Sequence, residues 1–157
     1  MPKTFNAKTM EKFQALSQRY PTKDALLLPV LRLAEEEFNG IDDDAMELVA
    51  GLVGVPPAKV MSVFTFYTHY RRAGSGKYLL QVCSTLPCAL RGSQEIFEHL
   101  KKKLGIDSEE TTKDGKFTLK KVECLGSCGT SPVVQINEDY YENLTTEKLD
   151  EILNKLQ

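Results

Sequence analysis

No stretch of this 157-residue chain stays apolar for long. The longest run without a polar side chain covers residues 48–58, eleven positions that include two glycines and two prolines. A membrane span needs about 20 apolar residues, so no segment is expected to cross a bilayer. A strong charge of one sign is also missing. The formal net charge is −2, with ten Lys/Arg against nine Asp/Glu in residues 1–77 and ten against thirteen in residues 78–157. That balance argues against a nucleic-acid partner. The one basic run, Lys101-Lys102-Lys103, reads as the solvated end of a helix, where cations suit the dipole. Met1-Pro2-Lys3-Thr4-Phe5 has no signal-peptide apolar core, so the chain is expected in the cytoplasm. No GxGxxG is present. Gly76-Lys77 is not a P-loop, because Tyr78 follows it and Arg71 stands where the first glycine should be. The chain is therefore expected to bind no dinucleotide itself. The two histidines, His69 and His99, have no partners at metal-binding spacing. No Ser/His/Asp or Cys/His nucleophilic arrangement is evident, and no catalytic residue is expected.

What is present is ordinary in bulk and specific in its cysteines. Hydrophobic residues make up 41% and charged residues 27%, which is the composition of a folded protein with one domain or two small ones. The four cysteines are Cys83, Cys88, Cys124 and Cys128, a C-x4-C and a C-x3-C pair with 35 residues between them. In a reducing compartment, two structural disulfides are a weak reading. Four thiols that must converge in the reduced state point to a metal, either one zinc ion or an iron–sulfur cluster. Zinc ribbons prefer C-x2-C knuckles, and neither pair is one. C-x4-C also occurs in plant-type [2Fe–2S] ferredoxins, and two pairs suggest one iron per pair. Spacing thus favours [2Fe–2S] and leaves zinc as the alternative. Gly126 and Gly129 let the backbone aim N–H groups at sulfur, and Ser84 and Thr85 offer hydroxyls for the same purpose. Leu86, Pro87, Leu125 and Pro132 are candidates to shield the sulfurs. Arg91, Lys120 and Lys121 are near enough in sequence to offset an anionic cluster, although surface roles suit them better.

Apolar periodicity divides the chain. Helices are expected over residues 7–19 (Met10, Phe13, Leu16), 23–39 (Leu27, Val30, Leu31, Ala34, Phe38), 42–54 and onward from Pro56-Pro57, which makes a small helical bundle. The aromatic segment Phe64, Phe66, Tyr67 and Tyr70 reads as bundle core or interface. After the turn at residues 73–76 the pattern becomes β-α-β-β-β-α. Its strands are expected at 78–82, 117–122, 133–136 and around Tyr140-Tyr141, with a helix over 89–104 whose inward stripe includes Leu90, and a last helix capped by Thr145 or Thr146. Both cysteine pairs fall just after strand ends.

Several stretches resemble one known family. They are Tyr20-Pro21, Leu26-Leu27-Leu28-Pro29, Pro56-Pro57-Ala58-Lys59-Val60, Val63-Phe64-Thr65-Phe66-Tyr67, Cys83-Ser84-Thr85-Leu86-Pro87-Cys88-Ala89-Leu90-Arg91-Gly92, Glu123-Cys124-Leu125-Gly126-Ser127-Cys128-Gly129 and Pro132-Val133-Val134-Gln135-Ile136-Asn137. Together they are similar to the small, E-type [2Fe–2S] subunit of NADH:quinone oxidoreductase (complex I). The resemblance implies an α/β chain, with a helical docking bundle over residues 1–74 and a thioredoxin-like [2Fe–2S] ferredoxin domain over residues 75–157. It implies Cys83, Cys88, Cys124 and Cys128 as the cluster ligands. It implies a partner flavoprotein subunit that carries FMN, NADH and a [4Fe–4S] cluster, with which one electron is exchanged. On this resemblance the chain is part of an oxidoreductase, has no catalytic site of its own, and lies at the cytoplasmic face of the membrane as part of a complex without entering it. The same module occurs in NAD-dependent hydrogenases and formate dehydrogenases, so an equivalent diaphorase subunit is the alternative host. A free-standing ferredoxin, a zinc-stabilised interaction module and a thiol–disulfide oxidoreductase are the remaining readings. The long helical half speaks against the first of these, and the lack of C-x2-C against the last.

Overall fold

A computed structural model describes residues 3–156. Of the amino-terminal pentapeptide, Met1 and Pro2 lie outside the described residues, as does Gln157. The chain divides into two compact units, the first ending at Gly74 and the second beginning at Ser75.

The first unit is helical, and its punctuation is local chemistry. Helix α1 (Ala7–Ser17) starts where the Asn6 side chain accepts the Thr9 N–H at 2.9 Å. The helix expected from residue 23 opens instead with a 3₁₀ turn at Asp24–Leu26, and α2 proper is Leu27–Phe38. It ends in left-handed Asn39 and Gly40, with φ of 53° and 125°. Helix α3 (Asp43–Val53) is capped by Asp42, whose carboxylate accepts the Ala45 N–H at 2.9 Å and pairs with Lys3 at 2.7 Å. Those contacts, Lys3 first, hold the Asp42 carboxyl below the usual range. Pro57 sits in the first turn of α4 (Pro57–Phe66), where its missing N–H costs nothing. Leu27, Val30, Leu31, Ala34, Val49, Val53 and Val60 form the centre of the core. Glu35 is buried within it, bound by Arg32 at 2.8 Å and by the Arg71 N–H at 2.6 Å. Phe64 and Tyr70 are core, whereas Phe66 is 76% exposed.

The second unit is a four-stranded mixed sheet of β1 (Tyr78–Cys83), β2 (Phe117–Val122), β3 (Val134–Ile136) and β4 (Asp139–Tyr141), in the order β2-β1-β3-β4. Strand β1 runs parallel to β2 and antiparallel to β3, and β3 is antiparallel to β4. The crossover from β1 to β2 was expected to carry one helix over residues 89–104. It carries two, α5 (Leu86–Leu90) and α6 (Ser93–Leu104), because Gly92 takes φ 95° and breaks the path. Leu90 consequently leaves the inward stripe and is 77% exposed. Ile96, Phe97 and Leu100 of α6 join Leu149 and Leu153 of α7 (Thr146–Lys155) against Leu80, Val82, Leu119, Val134 and Ile136 of the sheet. Thr145 caps α7 by accepting the Lys148 N–H at 3.3 Å. Gly76, at the entry to β1, lies against β2. A Cβ there would sit 2.8 Å from the Phe117 backbone.

Backbone cannot yield as a flexible side chain can, so Gly76→Ala is expected to cost about 1–3 kcal/mol, as overpacking typically does. Urea unfolding of the wild type and the variant measures it. A midpoint shift with an unchanged m-value is the expected outcome.

Candidate metal centre

Parallel pairing of β1 and β2 places the C-terminal ends of both strands at one edge of the sheet. Cys83, the last residue of β1, stands opposite Val122, the last residue of β2. The N–H and the hydroxyl of Ser84 both donate to the Val122 carbonyl, at 2.9 and 2.8 Å, and fasten the first cysteine loop across that edge. Thr85 precedes α5, and Cys88 is buried within that helix. The second loop leaves β2 with Cys124, enters a 3₁₀ turn at Cys128–Thr130, and passes through a cis Ser131–Pro132 bond toward β3. Because β3 is antiparallel to β1, its start returns to the same edge, where the Val133 carbonyl accepts the Cys83 N–H at 3.2 Å. All four cysteines are free thiols. Cys83 and Cys88 are buried against Val133 and Leu125, while Cys124 and Cys128 are exposed.

The thiols form two pairs. The Cys124 and Cys128 sulfurs are 3.6 Å apart, and Cys83 and Cys88 share a hydrogen bond. Two thiolates on one tetrahedral metal, with bonds of about 2.3 Å, are separated by about 3.8 Å, so the 3.6 Å separation of Cys124 and Cys128 suits one metal ion. Among the described residues, no three His, Cys, Asp or Glu side chains converge to hold a single ion. The loops also direct N–H groups at sulfur. Gly126 donates to Cys124 at 3.3 Å, Leu125 and Thr85 donate to Cys83, and Val133 donates to Cys88. The Thr85 hydroxyl lies 3.4 Å from the Cys83 sulfur. Burial pushes the Cys83 thiol up, but the Thr85, Leu125 and Cys88 hydrogen bonds outweigh it, and the net direction is down. Burial, then the bond to Cys83, pushes Cys88 up to about 11. At the exposed pair, the Gly126 N–H and then Cys128 lower Cys124, whereas the bond to Cys124 and its charge raise Cys128. In each pair one thiol is thus shifted toward ionisation and the other away from it, Cys88 first by burial and Cys128 first by its bond to Cys124. Metal binding requires the thiolate form, so a metal ion displaces the thiol protons. Two thiol pairs ringed by N–H donors fit a binuclear anionic cluster better than a single cation.

Residues 13–157 match the family of thioredoxin-like [2Fe-2S] ferredoxins. The chain belongs to that family. The E-type subunit of NADH-quinone oxidoreductase from Rickettsia conorii is 45% identical over 157 residues, which cover 98% of this chain and 94% of the relative. NADH-quinone oxidoreductase subunit 2 of Thermus thermophilus is 43% identical over 142 residues, covering 88% of this chain and 78% of the relative. Among solved structures, the NAD+-reducing [NiFe]-hydrogenase in the air-oxidized state superposes with a TM-score of 0.66 at 18% identity. The match covers 82% of this chain and 22% of that one, and shows a shared fold.

Within this thioredoxin-like ferredoxin, not every residue flanking the cysteines plays the part its sequence position suggests. Thr85 reaches a sulfur, but Ser84 bonds the backbone instead. Leu125 packs on the buried pair and Pro132 is buried, whereas Leu86 is 69% exposed. Lys120 pairs with Glu109 at 3.3 Å and Lys121 donates to Gln94 at 2.8 Å, so both charges are engaged away from the cysteines. Arg91 is exposed. His99 bonds Asp150 at 2.7 Å and His69 stacks on Tyr70, ordinary roles for both. The Leu125 and Val133 N–H donors and the contacts of Glu142 with the second loop were not anticipated. Backbone donors carry no residue-type signal, and Glu142 is fourteen positions beyond Cys128.

Asymmetric burial has a measurable consequence in the metal-free chain. Cys88→Ser, which puts a more polar hydroxyl into an apolar pocket, is expected to cost about 1–3 kcal/mol. Cys124→Ser, at an exposed position, is expected to stay within about 0.5 kcal/mol of wild type. Denaturant unfolding of the two metal-free variants checks the difference.

Proposed function

We infer that the chain is the electron-transfer subunit of an NADH dehydrogenase module. In this reading Cys83, Cys88, Cys124 and Cys128 hold one [2Fe–2S] cluster that exchanges one electron with the FMN of a partner flavoprotein, which also carries NADH and a [4Fe–4S] cluster. The observation that carries it is the convergence of two thiol pairs, one buried and one exposed, at a single sheet edge in a chain with a 45% identical relative in NADH-quinone oxidoreductase. Such a cluster, when bound, supplies a one-electron store beside a flavin that handles two. The protein's own contribution is positional. Cys83 and Cys88, buried against Val133 and Leu125, anchor one side of the site in a dry setting. Cys124 and Cys128 hold the other side at the surface, within reach of a partner. Thr85, Leu125, Gly126 and Val133 stabilise negative charge on sulfur, which grows on reduction.

The domains follow the same division of labour. Residues 75–157 form the cluster domain and residues 1–74 the docking bundle. Exposed Phe66 and Tyr67 at the end of α4 suit an interface, since aromatic side chains recur at binding hot spots. No single described helix is long and apolar enough to cross a membrane. Association with the cytoplasmic face of a membrane would therefore come through the assembled complex. The hydrogenase diaphorase remains the second host. The likeness to that structure rests on fold, whereas the Rickettsia conorii relative matches in sequence over nearly the full length, which favours the complex I type.

An EPR spectrum of the anaerobically purified, dithionite-reduced chain tests the cluster. The expected result is a rhombic S = 1/2 signal with about two irons and two acid-labile sulfides per chain, lost together in Cys83→Ser or Cys128→Ser. A colourless, EPR-silent chain with one zinc would overturn the reading. Co-expression with the flavoprotein tests docking. Phe66→Ala is expected to weaken the complex by at least about fivefold, roughly 1 kcal/mol, with iron content unchanged.

A further inference from the structure

The loop bearing Cys124 and Cys128 is clasped along its length by β4 and the segment that follows it. The Tyr140 hydroxyl donates to the Leu125 carbonyl at 3.0 Å. The Asn143 N–H donates to the Thr130 carbonyl at 2.7 Å, and the Leu144 N–H to the Pro132 carbonyl at 3.3 Å. Between these sits Glu142. Its Oε1 accepts the hydroxyl of Ser127 and, at 2.7 Å, that of Thr130. The two hydroxyls are themselves 2.7 Å apart, and the Thr130 N–H donates to the Ser127 carbonyl at 3.2 Å. Ser127 adjoins Cys128, and Thr130 closes the 3₁₀ turn that Cys128 opens. One carboxylate oxygen therefore ties both sides of the turn around an exposed cysteine, close to the two N–H groups, of Leu125 and Gly126, that point at Cys83 and Cys124.

We propose that Glu142 is a positioning residue for the electron-accepting site. Through Ser127 and Thr130 it holds the Cys124–Cys128 loop so that the Leu125 and Gly126 N–H groups stay aimed at sulfur, and it thereby raises the potential at which the site takes its electron. This rests on the [2Fe–2S] reading above. The sign follows from charge. Hydrogen bonds to sulfur favour the reduced, more negative form, so loosening the loop lowers the potential. The carboxylate's own negative charge acts oppositely, because removing it makes reduction easier. Glu142 is exposed, so that direct effect is screened. Positioning and charge thus move the potential in opposite directions.

The experiment is an EPR-monitored redox titration of the cluster-loaded chain, comparing wild type, E142Q, E142A and the double variant S127A/T130V. E142A is expected to lower the reduction equilibrium constant about tenfold, a midpoint about 59 mV more negative for one electron. S127A/T130V is expected to move it the same way, with no further fall when E142A is added, as for groups acting through one contact. E142Q keeps an acceptor oxygen for both hydroxyls and is expected to stay within about threefold of wild type. A rise in both Glu142 variants would assign the residue a through-space charge effect and overturn the proposal, as would unmoved potentials in all three. Should E142A load too little iron, amide hydrogen exchange of the metal-free chain decides. Faster exchange across residues 126–130 in E142A than in E142Q supports the clasp, and equal exchange overturns it. A wild-type chain that holds no iron would instead overturn the cluster reading, and this role with it.

Discussion

The rest of the second unit depends on the parallel ladder between β1 and β2. Parallel strands cannot be joined by a tight turn, so the chain must cross over, and here it does so through α5 and α6. Parallel strands also finish at the same edge, which antiparallel neighbours do not. That puts Cys83 opposite Val122 and starts the second cysteine loop one strand away from the first. Strand β3, antiparallel to β1, begins at that edge as well, so the loop from Cys124 to Pro132 spans the end of β1 and closes over Cys83. Register matters because a one-residue slip reverses every side chain. Leu80 and Val82 would leave the helix-covered core, and Cys83 would leave its partner Cys88. The close approach of Gly76 to Phe117 and the double bond of Ser84 to Val122 secure the ladder at its two ends.

From this edge the electrostatics follow. Burial opposes ionised sulfur, and the fold answers it with N–H donors rather than with cations. Lys120 and Lys121, the nearest lysines in sequence, are engaged elsewhere. Neutral dipoles held by the backbone stabilise negative sulfur without a second desolvated charge, which would be costly to bury. The site is also graded in exposure. One pair is enclosed by Val133 and Leu125, and the other lies open, held by hydrogen bonds from the β4–α7 segment instead of by packing. In the proposed function such bonds give the open pair its rigidity, since apolar cover would close it to a partner.

The helical unit obeys a different logic. Its helices are short, from ten to twelve residues, and isolated helices of that length are marginal in water. Packing of Val30, Leu31, Val49, Val53 and Val60 holds them, while Asn6, Asp42, Asn39 and Gly54 settle where they begin and end. The buried Glu35 joins α2 to the Arg71 backbone near the end of this unit, so a polar contact fixes the exit of the bundle. In the proposed function the unit offers Phe66 and Tyr67 outward.

The helix stripes of the bundle, the β-α-β-β-β-α order, the start of a helix at the acidic residues from Asp42, the cap at Thr145 and the closeness of both cysteine pairs to strand ends could be read from residue type and spacing, although Cys83 is the last residue of β1 and Cys88 lies within α5. Those features are local, set by apolar periodicity, turn chemistry and the few residues that bind metals. The break at Gly92 was less legible. The apolar pattern runs through it, and only the left-handed backbone turns Leu90 outward. By itself the sequence determined which elements form and which four thiols are available. Tertiary structure decided that β1 and β2 run parallel and that one thiol pair is buried and the other open. It also decided that Leu125, Gly126 and Val133 aim their N–H groups at sulfur and that Glu142 grips the second loop. The physical reason is distance along the chain. Strand pairing, burial and backbone hydrogen bonds join residues with no local signal for one another, and a backbone N–H has the same chemistry whatever side chain it carries.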